Sequence, residues 1–179
     1  MVYGDETSTV IRNTEALPLS FVCRAWRPVA SPQEAYELLT APDFPWRACV
    51  AVEQRPGAQI PPAPAEDGRA LTPATLVEHG PRRVVVELSE GEEGILVLND
   101  CYFPGWKAFV DGERRPIHRV NGTFRGVFVE AGDREVVFRY APASFRYGLI
   151  LSVVGIVILA AIAVPLPGML ECMLRARTR

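Results

Sequence analysis

The chain has 179 residues, 19 of them basic and 21 acidic, for a formal net charge of −2. That balance excludes the basic footprint of a nucleic-acid-binding protein, and the length allows one core with at most a small attachment. Sixteen prolines and fourteen glycines give the turn density of an all-β protein. Cys23, Cys49, Cys101 and Cys172 lie far apart, with neither a CxxC pair nor metal-ligand spacing, and read as isolated small hydrophobes. A Cys23–Cys49 disulfide stays open for an oxidising compartment.

Residues 1–54 read as a small α+β segment. The start, "MVYGDETSTV", has neither a basic region nor an apolar run, so no signal peptide is expected there. "LPLSFVCRAWRPV" reads as a strand bounded by prolines. A helix follows: Ser31 caps it, Pro32 suits its first position, Glu34 completes a capping box, and Pro42 stops it. Ala35, Leu38 and Leu39 share its apolar face, and "ACVAVE" is the next short strand. Residues 55–74, "RPGAQIPPAPAEDGRALTPA", have the composition of a proline-rich linker or long surface loop.

From Thr75 the chain becomes strand after strand. "TLVEH", "RRVVVELS", "GILVLND", "WKAFV", "RPIHRV", "TFRGVFV" and "REVVFRY" are separated by turn sequences at roughly ten-residue spacing, the pattern of an antiparallel sandwich. Asp111-Gly112 and Asn121-Gly122 suit the positive φ angles of two-residue hairpin turns. The sequon Asn121-Gly-Thr123 is explained by its turn. The expected fold is mainly β: an antiparallel β-sandwich over 75–146, preceded by the α+β segment and followed by a transmembrane helix.

That helix is "YGLILSVVGIVILAAIAVPLPGML", residues 147–170, twenty-four residues without a charge. At 1.5 Å per residue it would reach about 36 Å, enough to cross a hydrocarbon core. Pro165 and Pro167 are expected to end or bend it. Gly148, Ser152 and Gly155 form a small-residue stripe that would admit a neighbouring helix. Residues 171–179 form a basic tail. Three arginines before the span (Arg134, Arg139, Arg146) balance three after it (Arg175, Arg177, Arg179), so the positive-inside rule gives no orientation.

No GxSxG, HExxH, P-loop or GxGxxG motif is present, so no catalytic residue, metal or cofactor is assigned. His79 and His118 fall in different elements, with no nucleophile motif beside either. Asp100 and Asp111 flank the aromatic run but read as a strand end and a turn. Tyr102 and Trp106, with Asp111, are the candidate substrate-binding residues, since an aromatic face suits the C–H patches of a sugar ring. Trp106 shares a strand face with Ala108 and Val110, opposite Lys107 and Phe109, which reads more simply as core.

At these residues the sequence resembles a known family. Pro104-Gly105-Trp106-Lys107-Ala108, Val110-Asp111-Gly112, Arg119-Val120-Asn121-Gly122, the Ala131-Gly132 turn and the "VVFRYAP-SF" run into the span occur in order. They resemble the C-terminal end of the bacterial YfhO family of membrane proteins. "RNTEALPLSFV" and "EAYELLTAPDF" are similar to the family's preceding segment, although Leu19 stands where its pattern favours arginine. The resemblance implies a large multispan protein similar to GT-C type glycosyltransferases, ending in an extracytoplasmic β-domain and a last membrane helix. It also implies that the sandwich lies outside the cytoplasmic membrane of a bacterium and the basic tail inside. This chain would then be the non-catalytic C-terminal part, since the family's acidic catalytic residue sits in an early loop. Its expected partners are the lipid bilayer, a transmembrane bundle N-terminal to it or an adjacent multispan protein, and a glycan or lipid-linked sugar. The alternative is a stand-alone membrane-anchored β-sandwich that binds carbohydrate or protein.

Overall fold

The computed structural model describes residues 3–4, 7, 9–11, 13–54, 60–64 and 68–163. Two compact units divide the chain, Met1–Tyr140 and Ala141–Arg179. The first begins with a short antiparallel pair, β1 (Tyr3–Gly4) with β2 (Thr9–Val10). Two larger sheets follow.

The five-stranded sheet has the order β11-β10-β14-β8-β7, comprising β7 (Thr75–His79), β8 (Arg83–Glu87), β10 (Trp106–Val110), β11 (Glu113–Arg115) and β14 (Glu135–Tyr140). The seven-stranded sheet has the order β4-β5-β12-β13-β9-β3-β6. Its strands are β3 (Ser20–Cys23), β4 (Ala25–Val29), β5 (Cys49–Glu53), β6 (Thr72–Pro73), β9 (Gly94–Cys101), β12 (His118–Val120) and β13 (Phe124–Val129). Val22, Leu96, Leu98, Val127 and Val129 of one sheet pack on Val84, Val86, Ala108, Val110, Val136 and Phe138 of the other. The expected mainly β sandwich is what forms, because alternation on these strands gives each sheet one continuous apolar face.

The seven-stranded sheet buries its second face as well. Phe21, Cys23, Trp26, Val50, Val52, Ile95, Val97 and Val120 form a separate cluster there, with Leu17, Ile60 and Leu71 packed on it. Burial on both faces explains why β9 reads as an unbroken apolar run through Ile95, Leu96, Val97 and Leu98. Ile60, Pro61 and Leu71, from the segment expected as a proline-rich linker or long surface loop, are part of this cover. Trp26 Nε1–H donates to Pro61 O at 3.2 Å, and Thr72–Pro73 is an edge strand beside β3. An edge suits Pro73, which has no N–H to give a further strand.

Residues 1–54 do contain a helix and strands, but β3, β4 and β5 belong to the same sheet as later strands. "LPLSFVCRAWRPV" breaks at Arg24 into β3, which pairs with β9, and β4, which pairs in parallel with β5. A parallel pair needs a crossover, supplied here by α1 (Pro32–Leu39). Ser31 Oγ accepts from Glu34 N–H at 3.1 Å. Glu34 Oε2 accepts from Ala30 N–H at 2.6 Å, one residue earlier than the expected capping box requires. Ala35 is buried against Val29 and Ala51, with Leu38 beside them. The N-terminal half is stitched to the rest by Asn121. Its backbone N–H donates to Ala51 O at 2.8 Å, and its Oδ1 accepts from Ala51 N–H at 2.9 Å. A side-chain amide thus continues the β5–β12 ladder one step past Val52 and Val120.

The expected two-residue turn forms at Asp111-Gly112, between paired Val110 and Glu113, whereas Asn121-Gly122 opens a three-residue loop that takes in Thr123 before Phe124. Asp111 and Gly112 have φ of 48° and 88° between β10 and β11, and Asn121 and Gly122 have 49° and 71° between β12 and β13. Cys23 and Cys49 are both buried, in different clusters, and are not joined as a disulfide; the Cys23 thiol donates to Ala25 O at 3.2 Å and Ala48 O at 3.3 Å.

In the second unit, α2 spans Ala143–Ala163. Its 21 residues reach about 31 Å at helical rise, the thickness of a hydrocarbon core. The stretch Ala143–Ile162 is apolar and wholly unburied, with Arg146 as its one charge. The helix starts four residues before the expected Tyr147. The expected stop at Pro165 and Pro167 and the basic tail lie outside the described residues.

Candidate functional site

Along β13, Arg125 stands in phase with Val127 and Val129, so its side chain points into the space between the sheets. It is fully buried (0% exposed). The opposite sheet meets it with rings: its guanidinium carbon lies 3.8 Å from the Trp106 ring centroid and 5.6 Å from that of Phe138. The charge is answered from the end of β9, where Asp100 Oδ2 accepts from Arg125 Nη2. The other Asp100 oxygen accepts from Cys101 N–H at 2.9 Å, and His79 Nε2 lies 3.8 Å from Oδ2. Arg125 Nε and Nη1 are buried with no hydrogen-bond partner. Burial pushes the arginine pKa below its ordinary value, while Asp100 pulls it back up. Arginine stays charged at neutral pH nonetheless, held by one carboxylate and a cation–π stack.

Trp106 is half-buried and packs against the inter-sheet core, its ring 5.4 Å from that of Tyr140. Ala108 and Val110 on the same face are buried, so the expected inward face is the one observed. Tyr140 also meets Phe103 at 6.4 Å, and Phe103 is 59% exposed. Tyr102 precedes it on the loop joining β9 to β10, with the Arg119 guanidinium 5.2 Å from its ring centroid. The structure therefore gathers Tyr102, Phe103, Trp106 and Tyr140 around one end of the sandwich, over Arg125 and Asp100.

Asp111 is not among them. It lies at the far end of β10, about 16 Å from Trp106 at strand rise. Its carboxylate accepts from the backbone N–H groups of Arg134 (3.1 and 3.3 Å) and Glu135 (2.9 Å), tying the hairpin turn to the start of β14. Asp100 and Asp111 are thus at opposite ends of the sandwich and cannot act as a pair. An arginine does not move protons at neutral pH, and both Asp100 oxygens are engaged. The cluster clamps two sheets together; it is not built for acid–base work.

Arg125 is the residue that motif reading passed over, because "TFRGVFV" matches no motif. A charge in phase with two inward-facing valines is the signal that marks it.

Residues 69–152 match the sequence model of a family described as bacterial membrane protein YfhO. The matched range is narrower than the expected resemblance and leaves out β3, β4, α1 and β5. Among curated proteins none matches the chain. Two solved structures are similar to it, the arabinofuranosyltransferase AftD from mycobacteria and a mutant of the same protein, both determined by single-particle cryo-EM. Each is 29% identical over 62% of this chain, with a TM-score of 0.41. The chain covers 8% of the first structure and 9% of the second.

Proposed function

We propose that this chain is the non-catalytic C-terminal portion of a YfhO-like membrane glycosyltransferase, made of an extracytoplasmic β-sandwich and the last membrane helix. The observation that carries this reading is the extent of the family match. It runs without a break from Arg69 through the second half of the sandwich and ten residues into α2, so sandwich strands and span are adjacent in the family as they are here. A helix of membrane-spanning length at that position gives the chain its membrane location. The reaction this reading places it in is sugar transfer from a lipid-phosphate donor to a cell-envelope acceptor, with the sandwich covering or shaping the outer face of a catalytic transmembrane bundle. The engagement of Asp100 and Asp111 in structural contacts supports a non-catalytic role for this portion.

Native membranes solubilised in mild detergent provide the test, using an antibody against the exposed loop around Glu90. The antigen is expected in a species that carries many membrane spans, either on one long polypeptide or in a complex that survives blue-native electrophoresis. A discrete 19.7 kDa single-span protein with no multispan companion would contradict the proposal and favour the stand-alone sandwich.

A further inference from the structure

On the outer face of the seven-stranded sheet, opposite the face that carries Arg125, a cleft of about 530 Å³ opens, a size typical of small-ligand sites. Its floor is aromatic. Trp26 and Phe128 meet edge to face, with centroids 5.0 Å apart and planes at 66°. The indole N–H is already committed to Pro61 O, so the Trp26 ring, 8% exposed, is fixed beneath the half-buried Phe128, whose ring gives the floor most of its accessible aromatic surface. Arg24, Arg69, Glu93 and Glu130 form the rim. Arg24 Nη1 and Glu93 Oε1 are 3.9 Å apart, too far for a direct hydrogen bond. Glu130 Oε1 lies 3.8 Å from Arg115 Nη1, and its side chain is 84% exposed.

We infer that this cleft binds a neutral polyhydroxylated ring, a single residue of a glycan. The rim charges cancel, Arg24 and Arg69 with Arg115 behind them against Glu93 and Glu130 with Asp133 behind them, so an anion gains no net attraction and meets two carboxylates. A purely apolar ligand would strip water from four charged groups without replacing their hydrogen bonds. A sugar matches both parts, its C–H face on the rings and its hydroxyls alternately accepting from arginine and donating to glutamate. The 3.9 Å gap between Arg24 and Glu93 suits a hydroxyl that bonds to both. The inference rests on this cleft alone and holds whether or not the chain is part of a glycosyltransferase.

The test is saturation-transfer NMR on the full chain in a zwitterionic detergent, since glycoside detergents would themselves compete. The probes are the methyl glycosides of glucose, galactose and mannose, with inorganic phosphate as the anionic competitor. At least one glycoside should show saturable transfer that phosphate does not displace. Arg69→Ala and Glu93→Gln, both exposed changes, should each weaken it about tenfold or more, with melting unchanged. Phe103→Ala, at the other aromatic cluster, should leave it as it is. Saturable transfer from none of the three, binding that survives both rim substitutions, or displacement by phosphate would each overturn the inference.

Discussion

Asp100→Ala is expected to destabilise the sandwich by about 3 kcal/mol, while Arg125→Met costs far less or raises stability. The asymmetry follows from where each charge sits. Arg125 is wholly buried, and Asp100 supplies its one carboxylate hydrogen bond, so removing Asp100 strands a cation in a low-dielectric interior. Breaking a buried pair in this way costs roughly 3–5 kcal/mol. The lower figure applies because the Asp100 side chain is 40% exposed and water can partly take its place. Removing the arginine instead returns Asp100 to solvent. A methionine fills the space between Trp106 and Phe138, and two unpartnered N–H groups disappear. For a unit of this size, 3 kcal/mol corresponds to a fall in Tm of about 9 °C. Thermal melts of the two variants beside the parent decide the matter. Equal losses, or a larger loss for Arg125→Met, would mean that the pair is not held as described.

Trp106→Ala is the second large effect expected, again about 3 kcal/mol, at the low end for truncation of a large aromatic because Trp106 is only half-buried. The loss combines core packing against the neighbouring strands with the stack on Arg125 at 3.8 Å, and it lets water reach the guanidinium. Trp106→Phe keeps a ring over the charge and should lose much less. The same variant separates scaffold from sugar platform. If Trp106→Ala melts with the parent but loses affinity for a glycan, the ring serves a ligand and the scaffold assignment is wrong.

The strands of the second half were legible because each carries its own local signal. Val84 to Val86 and Ile95 to Leu98 are apolar runs between turn residues, and Asp111-Gly112 and Asn121-Gly122 announce hairpins by backbone chemistry alone. The N-terminal half was legible only in pieces. Nothing local to "AWRPV" or "CVAVE" tells that the two pair in parallel, or that Val52 pairs with Val120 nearly seventy residues on. Strand partners that far apart are chosen by packing, not by propensity. The same limit hid the role of the proline-rich segment, whose Ile60, Pro61 and Leu71 gain meaning only once the sheet presents a second apolar face.

At the candidate site, the inward direction of Trp106 followed from alternation with Ala108 and Val110. Its partner Arg125 did not emerge, because a charged residue amid valines is ordinarily assigned to the solvent side. Phase, not residue type, was the better guide. Asp111, grouped with Tyr102 and Trp106 by closeness in sequence, sits a full strand length away because β10 is extended. The cleft at Trp26 and Phe128 joins residues over a hundred positions apart and has no sequence signature.

The reading of this chain as an extracytoplasmic domain ahead of a last membrane helix is tested most directly by labelling introduced cysteines in intact cells of the native host. Glu90→Cys, in the exposed turn between β8 and β9, and Thr178→Cys, in the basic tail, are placed singly in a background lacking Cys101 and Cys172. A membrane-impermeant maleimide should modify the cysteine at 90 in intact cells and reach the one at 178 only after the membrane is opened. Labelling at 178 from outside, with position 90 protected until lysis, would contradict the account.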